Sequence, residues 1–269
     1  MLLQAEKSLH QGNLTEALAN LQDQIRKDPS NPKLRIFLFQ LLSVTGQWER
    51  ALVQLKVLGD LDASSLLMVQ TYRAAIQCES LRAEVFTGKY TPLIFGEPQR
   101  WLALLIQALR LDATGHFKEA QALRSQSFEL APAISGAING TDFDWIADAD
   151  SRLGPALEAI VNGRYYWITF QQILQIELEE PSDLRDVVWM PAQFTWVNGG
   201  IASGLIPSRY PGAESSEDPA IRLARKTEWE EFSEGAYRGA GQRLLATNIE
   251  DYALMDVRHI ELNSVAGPK

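Results

Sequence analysis

The chain has 269 residues, 46% of them hydrophobic and 22% charged, with a net charge of −9. That balance excludes a disordered or fibrous chain and leaves room for one large or two modest cores. The charge is uneven: residues 1–140 carry 14 basic and 13 acidic side chains and residues 141–269 carry 11 and 21, so the back half repels phosphate backbones and nucleic acid is not an expected partner.

The opening stretch, Met1 to Leu14, has no basic region followed by a long apolar run and a small-residue cleavage site, so it does not read as a signal peptide. No stretch is apolar for the length a membrane helix needs, and no membrane partner is expected. The single cysteine, Cys78, excludes an internal disulfide framework and a multi-cysteine metal site, and a reducing cytoplasm is the expected location. Cys78 follows Ala74-Ala75-Ile76 and reads as a buried small hydrophobe.

The front half repeats itself. Gly12-Asn13-Leu14 with Ala17 and Leu21 recurs 34 residues later as Gly46-Gln47-Trp48 with Ala51 and Leu55. A third copy starts at Gly115-His116-Phe117 with Ala120 and ends before Pro132, and a degenerate unit near Leu66–Phe86 fills the interval. Thirty-four residues is the tetratricopeptide period, in which two antiparallel helices form each unit. Glycine closes the first helix and alanine lets the pair approach. Leu14, Trp48 and Phe117 are placed to plug the gap between paired helices, and proline stops the second helix at Pro29 and Pro132. Leu14, Ala17, Leu18, Leu21 and Ile25 form one stripe at helical spacing.

Arg100–Leu111 is apolar on more than one face and predicts a buried helix. Thr141-Asp142-Phe143-Asp144 predicts a helix start, with Thr141 as cap and the aspartates at the positive end of the helix dipole. A short helix is predicted from Pro155 to Gly163. Strands follow: Tyr165–Ile168, Ile173–Leu178, Val187–Met190, Phe194–Val197, Ile201–Ile206, Leu244–Ala246 and Asp256–Leu262. Asn198-Gly199 marks a hairpin, residues 207–219 a turn-rich loop, and Gly267-Pro268-Lys269 a frayed end. The predicted fold is α+β: tetratricopeptide-like helical repeats over residues 1–162, then a small β-barrel-like domain over residues 163–269.

Catalytic chemistry is hard to find. His10, His116 and His259 are scattered and show no metal-ligand spacing. Gly235–Gly241 is glycine-rich but lacks the lysine and hydroxyl residue of a phosphate loop, and reads as a turn between strands. No cofactor and no metal are expected. Asp142, Asp144, Asp148, Asp150, Arg152 and Glu158 cluster in sequence. Carboxylates at Asp148 and Asp150 could serve a hydrolase, but a structural reading is simpler, in which Asp148 or Asp150 pairs with Arg152 to fix the bend before Pro155. The aromatics Trp145, Tyr165, Tyr166, Trp167, Trp189 and Trp196 either fill a core or form a recognition surface. The surface reading nominates Trp145, Asp148, Arg152, Tyr165 and Trp167 as partner contacts, where the helix Phe143–Arg152 would meet the strand at Tyr165. The alternative place is the repeat surface at Trp48.

The run from Phe143 to Pro155, continuing through Glu158 and Asn162-Gly163-Arg164-Tyr165-Tyr166-Trp167-Ile168, resembles the ImpE/TagJ/SciE-type accessory proteins of bacterial type VI secretion. Pro181–Trp189, Ile206–Gly212, Thr227-Glu228-Trp229, Gly239–Arg243 and Asp256-Val257-Arg258 continue the resemblance. The resemblance implies a non-enzymatic cytoplasmic adaptor. It implies as partner the N-terminal helix of the small contractile-sheath subunit, with a link to the ATPase that disassembles sheaths. A chaperone for a secreted effector is the other binding role that fits.

Overall fold

The computed structural model describes residues 2–263, so the Gly267-Pro268-Lys269 end lies outside the described residues. Helices come first: α1 (Leu2–His10), α2 (Leu14–Lys27), α3 (Pro32–Val44), α4 (Trp48–Leu61) and α5 (Leu66–Phe86), then α6 (Arg100–Ala113) and α7 (Phe117–Leu130). The chain is α+β, with tetratricopeptide-like helices followed by a sheet-rich region.

The repeat pattern works through local chemistry. Gly12, Gly46 and Gly115 close α1, α3 and α6 at φ of +79°, +67° and +80°, where a side chain would be strained. Asn13 caps α2 by accepting from the Glu16 backbone N–H, while its amide donates to the Glu16 carboxylate at 2.9 Å. Leu14, Ala17, Leu21 and Ile25 bury the predicted stripe of α2. The degenerate third unit is one long helix, α5, of 21 residues. Phe117 does not plug a gap as expected. It is 44% exposed, and nothing packs within 4 Å of where a side chain on Gly115 would begin, so this turn faces outward.

The strands are β1 (Leu93–Ile94), β2 (Gly136–Ile138), β3 (Thr141–Phe143), β4 (Ile146–Asp148), β5 (Ala156–Val161), β6 (Arg164–Thr169), β7 (Ile173–Leu178), β8 (Trp189–Trp196), β9 (Ile201–Pro207), β10 (Thr227–Ser233), β11 (Ala236–Gly241), β12 (Leu244–Thr247), β13 (Asp251–Ala253) and β14 (His259–Leu262). A short helix, α8 (Pro219–Arg222), interrupts the loop after β9. The main sheet has nine strands in the order β1-β6-β5-β9-β8-β7-β14-β2-β3; β13-β12-β4 and the hairpin β10-β11 lie beside it. No pairing of β1 with β3 closes this sheet among the described residues. One face wraps its own core of Leu157, Ile168, Phe194 and Ile260. The other meets the helices: Ile160, Trp167, Trp189 and Leu205 share a core with Leu38, Tyr72 and Leu105.

Two expected helices are strands. The segment begun by Thr141 forms β3 and β4, and the segment begun by Pro155 forms β5. Every residue of β5 is buried. A strand covered on both faces loses the alternation that identifies strands and reads as a plain apolar run. The change from helix to strand therefore falls between Leu130 and Gly136 and not at 162/163, which is the turn of the β5–β6 hairpin pairing Val161 with Arg164. One strand, β1, even comes from within the helical half and pairs in parallel with β6. The strands expected at Val187–Met190 and Phe194–Val197 are one strand, β8. The Asn198-Gly199 hairpin joins β8 to β9 as predicted.

Candidate functional site: a buried ion network and the groove beside it

Asp148, Asp150, Arg152 and Glu158 of the acidic cluster meet in a buried network between the sheet and α5, whereas Asp142 and Asp144 stay exposed. Glu158 is the centre. Alternation along β5 sends Leu157 and Ala159 into the inner core and turns Ala156, Glu158 and Ile160 toward the helices. Arg82 of α5 forks onto Glu158, with Nε donating to Oε1 at 2.7 Å and Nη2 to Oε2 at 3.0 Å. The Tyr165 hydroxyl also donates to Oε1, and Arg243 donates to Oε2. Trp167 Nε1 in turn donates to the Tyr165 oxygen at 2.7 Å. Both aromatics reach this layer because they sit two residues apart on β6.

The network spreads outward from Glu158. Arg82 also donates to the Arg209 carbonyl at 2.7 Å and to Glu79 at 3.3 Å, and Glu79 accepts from Trp189 Nε1 at 2.8 Å. Arg243 pairs with Asp148 and donates to the Pro207 carbonyl at 2.9 Å. Asp148 Oδ1 accepts from Tyr210 at 3.2 Å and from the Asp150 N–H at 2.9 Å. Asp150 accepts from the Arg152 N–H at 2.9 Å, from its Nε at 2.8 Å and from the Gly239 N–H at 3.0 Å. Gly239 has no room for a side chain, since a Cβ there would lie 2.2 Å from the Tyr210 ring. Arg209 reaches the end of α3, donating to the Val44 carbonyl at 2.8 Å.

Burial and pairing set the charges. Burial works to raise the Glu158 carboxyl, but Arg82 and Arg243 outweigh it and hold it down at about 2. Burial pushes Asp148 up to about 7 against the pull of Arg243. Burial and the Glu158 charge drive the Tyr165 hydroxyl well above its ordinary range, so it stays a donor. Each carboxylate oxygen of Asp148, Asp150 and Glu158 already accepts at least one hydrogen bond. The arrangement binds the helices to the sheet and leaves no oxygen unpaired for a substrate.

Four of the five residues nominated as partner contacts are interior. Asp148, Tyr165 and Trp167 are buried, and Arg152 is nearly so, held on Asp150 with its guanidinium 4.8 Å from the centre of the Phe86 ring. The Tyr165–Trp167 face meets α5 where the surface reading placed solvent. The local pairing of Asp150 with Arg152 is as expected, whereas Arg82, Glu79, Tyr210 and Arg243 were not singled out. The one signal for Arg82 and Glu79 was a charge on each side of apolar Leu81 in a helix that also carries Ala74-Ala75-Ile76.

Trp145 alone stays at the surface, 39% exposed. It lines a groove of about 380 Å³ with Phe128, Pro132, Ile146, Ala149 and Pro155. The floor is β4, paired with β12 on one side, while on the other its Asp148 N–H donates to the Gly154 carbonyl at 2.6 Å. Exposed carboxylates neighbour the walls: Glu129 follows Phe128, and Asp144 precedes Trp145. Asp148 belongs to both the groove and the network.

Sequence comparison decides the family. The curated type VI secretion system accessory component TagJ of Pseudomonas aeruginosa is 54% identical over 257 residues, covering 96% of this chain and 90% of that protein. This chain belongs to the TagJ family. The family described as ImpE protein matches residues 140–261, and a tetratricopeptide repeat family matches residues 8–76. A crystal structure of protein VPA1032 from Vibrio parahaemolyticus has the same fold, with a TM-score of 0.87, 24% identity and 98% coverage of both chains. In this TagJ-family chain the ImpE match holds the sheet side of the network, from Asp148 to Arg243, whereas Glu79 and Arg82 lie outside both matched segments. No helix among the described residues is long and apolar enough to cross a membrane.

Proposed function

We propose that this chain is a non-enzymatic cytoplasmic adaptor of type VI secretion. In this reading it captures the N-terminal helix of the small contractile-sheath subunit and links it to the sheath-disassembly ATPase. The similarity to the P. aeruginosa accessory component over nearly the whole chain carries the reading. The groove at Trp145 supplies a mode. Its apolar walls accept the i, i+3, i+4 and i+7 side chains of an amphipathic helix, and the nearby carboxylates favour basic residues on the helix rim. The alternative place on the repeats is less available, because Trp48 lies 5.9 Å from the Trp189 ring and belongs to the helix–sheet contact. The hydrolase alternative at Asp148 and Asp150 conflicts with the paired state of their oxygens.

The test is calorimetry of the full chain with a synthetic peptide of the sheath subunit's N-terminal helix. Trp145→Ala keeps the fold, because the residue is a surface one, and weakens binding by about 2 kcal/mol, roughly 30-fold in Kd. No binding by the wild type sinks the partner; normal binding by Trp145→Ala moves the site elsewhere. Co-purification from native cells that yields an effector and no sheath protein would favour the chaperone role.

A further inference from the structure

The groove at Trp145 has an unfinished sheet edge along its floor. β4 gives one side to β12: Ala147 pairs with Ala246, and the Ala149 N–H donates to the Leu244 carbonyl at 3.0 Å. Backbone groups alternate in direction along a strand, so Ile146 and Asp148 point theirs the other way. The Asp148 N–H fixes that direction, because it donates to the Gly154 carbonyl at 2.6 Å and Gly154 is itself a wall of the groove. Beyond this one bond, among the described residues, nothing pairs with the Ile146 N–H, the Ile146 carbonyl or the Asp148 carbonyl.

The edge carries none of the charge that ordinarily guards an open strand. β10 shows the guarded case: it pairs only with β11 among the described residues and bears Glu228, Glu230 and Glu231. Along β4 the one ionisable side chain is Asp148, which is buried and turned into the network behind the sheet. Among the described residues it is also the one ionisable residue lining the groove. The facing walls offer the edge little in return, since Pro132 and Pro155 have no N–H and Phe128 is apolar.

We propose that the groove takes an extended segment of its partner polypeptide as an added strand on β4, next to the docked helix. This deepens the reading above and rests on it. The chemistry of the edge selects the occupant: one N–H and two C=O groups at strand spacing are complementary to a peptide backbone. A helix uses its interior N–H and C=O groups in its own turns, so a helix alone leaves all three edge groups unpaired. The added strand accepts from the Ile146 N–H and donates to the Ile146 and Asp148 carbonyls from two N–H groups two residues apart. Proline is therefore excluded from those two positions of the segment, while the residue between them is free to vary.

The experiment uses NMR of the nitrogen-15-labelled full chain. The probe is a synthetic peptide of the sheath subunit's N-terminal helix together with its flanking residues. Saturating peptide should shift the Trp145 indole and slow solvent exchange of the Ile146 amide at least about tenfold. The Ala147 and Ala149 amides, already paired with β12, should change little. Methylating the flanking backbone nitrogens one at a time should weaken binding about tenfold at two positions two residues apart and leave the position between them unaffected. Trp145→Ala should weaken binding yet preserve the Ile146 protection and the alternating pattern. A shifted Trp145 indole with unchanged Ile146 exchange, or a methylation scan without alternation, overturns the added strand and leaves the helix reading standing. No shift at any residue overturns both.

Discussion

Glu158→Gln is the most direct perturbation of the network. The side chain keeps its shape and loses its charge, which leaves Arg82 and Arg243 facing each other around a neutral amide in the interior. Breaking a buried ion pair by removing one partner costs about 3–5 kcal/mol. The acidity of Glu158 gives a second route to the magnitude. Its carboxyl is held at about 2 against an ordinary 4.5, and each unit is about 1.4 kcal/mol, so the ionised group contributes roughly 3 kcal/mol net of its burial. Both figures are a large share of the stability of a typical domain. The sign follows from the depressed value: the contribution is complete above 4.5 and is lost as pH falls toward about 2. Asp148 works in the opposite sense. Its raised carboxyl binds a proton more readily when folded, so its contribution falls as pH rises from 3.8 to about 7. The difference between wild type and Glu158→Gln removes most of the Asp148 contribution, apart from the part of its shift that the Glu158 charge causes. Urea unfolding followed by tryptophan fluorescence should give a difference of about 3 kcal/mol that is flat above pH 7 and shrinks steadily below pH 5. A difference under 1 kcal/mol, or one unchanged between pH 5 and pH 2, refutes the assignment.

Cys78 is buried, and burial pushes its thiol up to about 11, so a thiol reagent at pH 8 should leave the native protein unmodified and react fully once urea unfolds it; rapid native labelling would contradict its position on α5. Gly239→Ala should lower the melting temperature sharply or prevent folding, because its methyl would meet the Tyr210 ring at 2.2 Å and push β11 away from Asp150; a melting temperature within a degree of wild type would rule out that close approach.

The parts of the fold legible in the sequence are those with local causes. Gly46, Ala51 and the matching positions of the other copies specify a helical turn within a few residues, so the 34-residue register sufficed. Asn198-Gly199 specified the β8–β9 turn in the same way. β5 was illegible because both of its faces are covered, and Pro155 before an apolar run imitates a helix start. β10 was missed for the opposite reason. Thr227–Ser233 is largely exposed, so no apolar stripe marks it. The glycine-rich Gly235–Gly241 read as a turn, yet most of it is strand β11, with glycines where Tyr210 and the Lys226 carbonyl come too close for a side chain.

The candidate site divides along the same line. Asp150 and Arg152 are two residues apart, and their pairing was readable. Arg82 and Glu158 are 76 residues apart, and only the packing of α5 on β5 and β6 unites them. Period-two spacing shows that Tyr165 and Trp167 share a face, but not whether that face meets water or a helix. Their burial changes how a partner can be held. Asp148 is fixed from behind by Arg243 and Tyr210 while the same strand floors the Trp145 groove, so β4 offers a preformed surface. Under the proposed function, a helix docking there would order little of the protein on binding, and its affinity would be spent on contacts at Trp145 and Phe128. The same coupling gives buried charge a functional consequence: a change such as Glu158→Gln, which touches no surface, should loosen β4 and weaken a partner at the groove along with the fold.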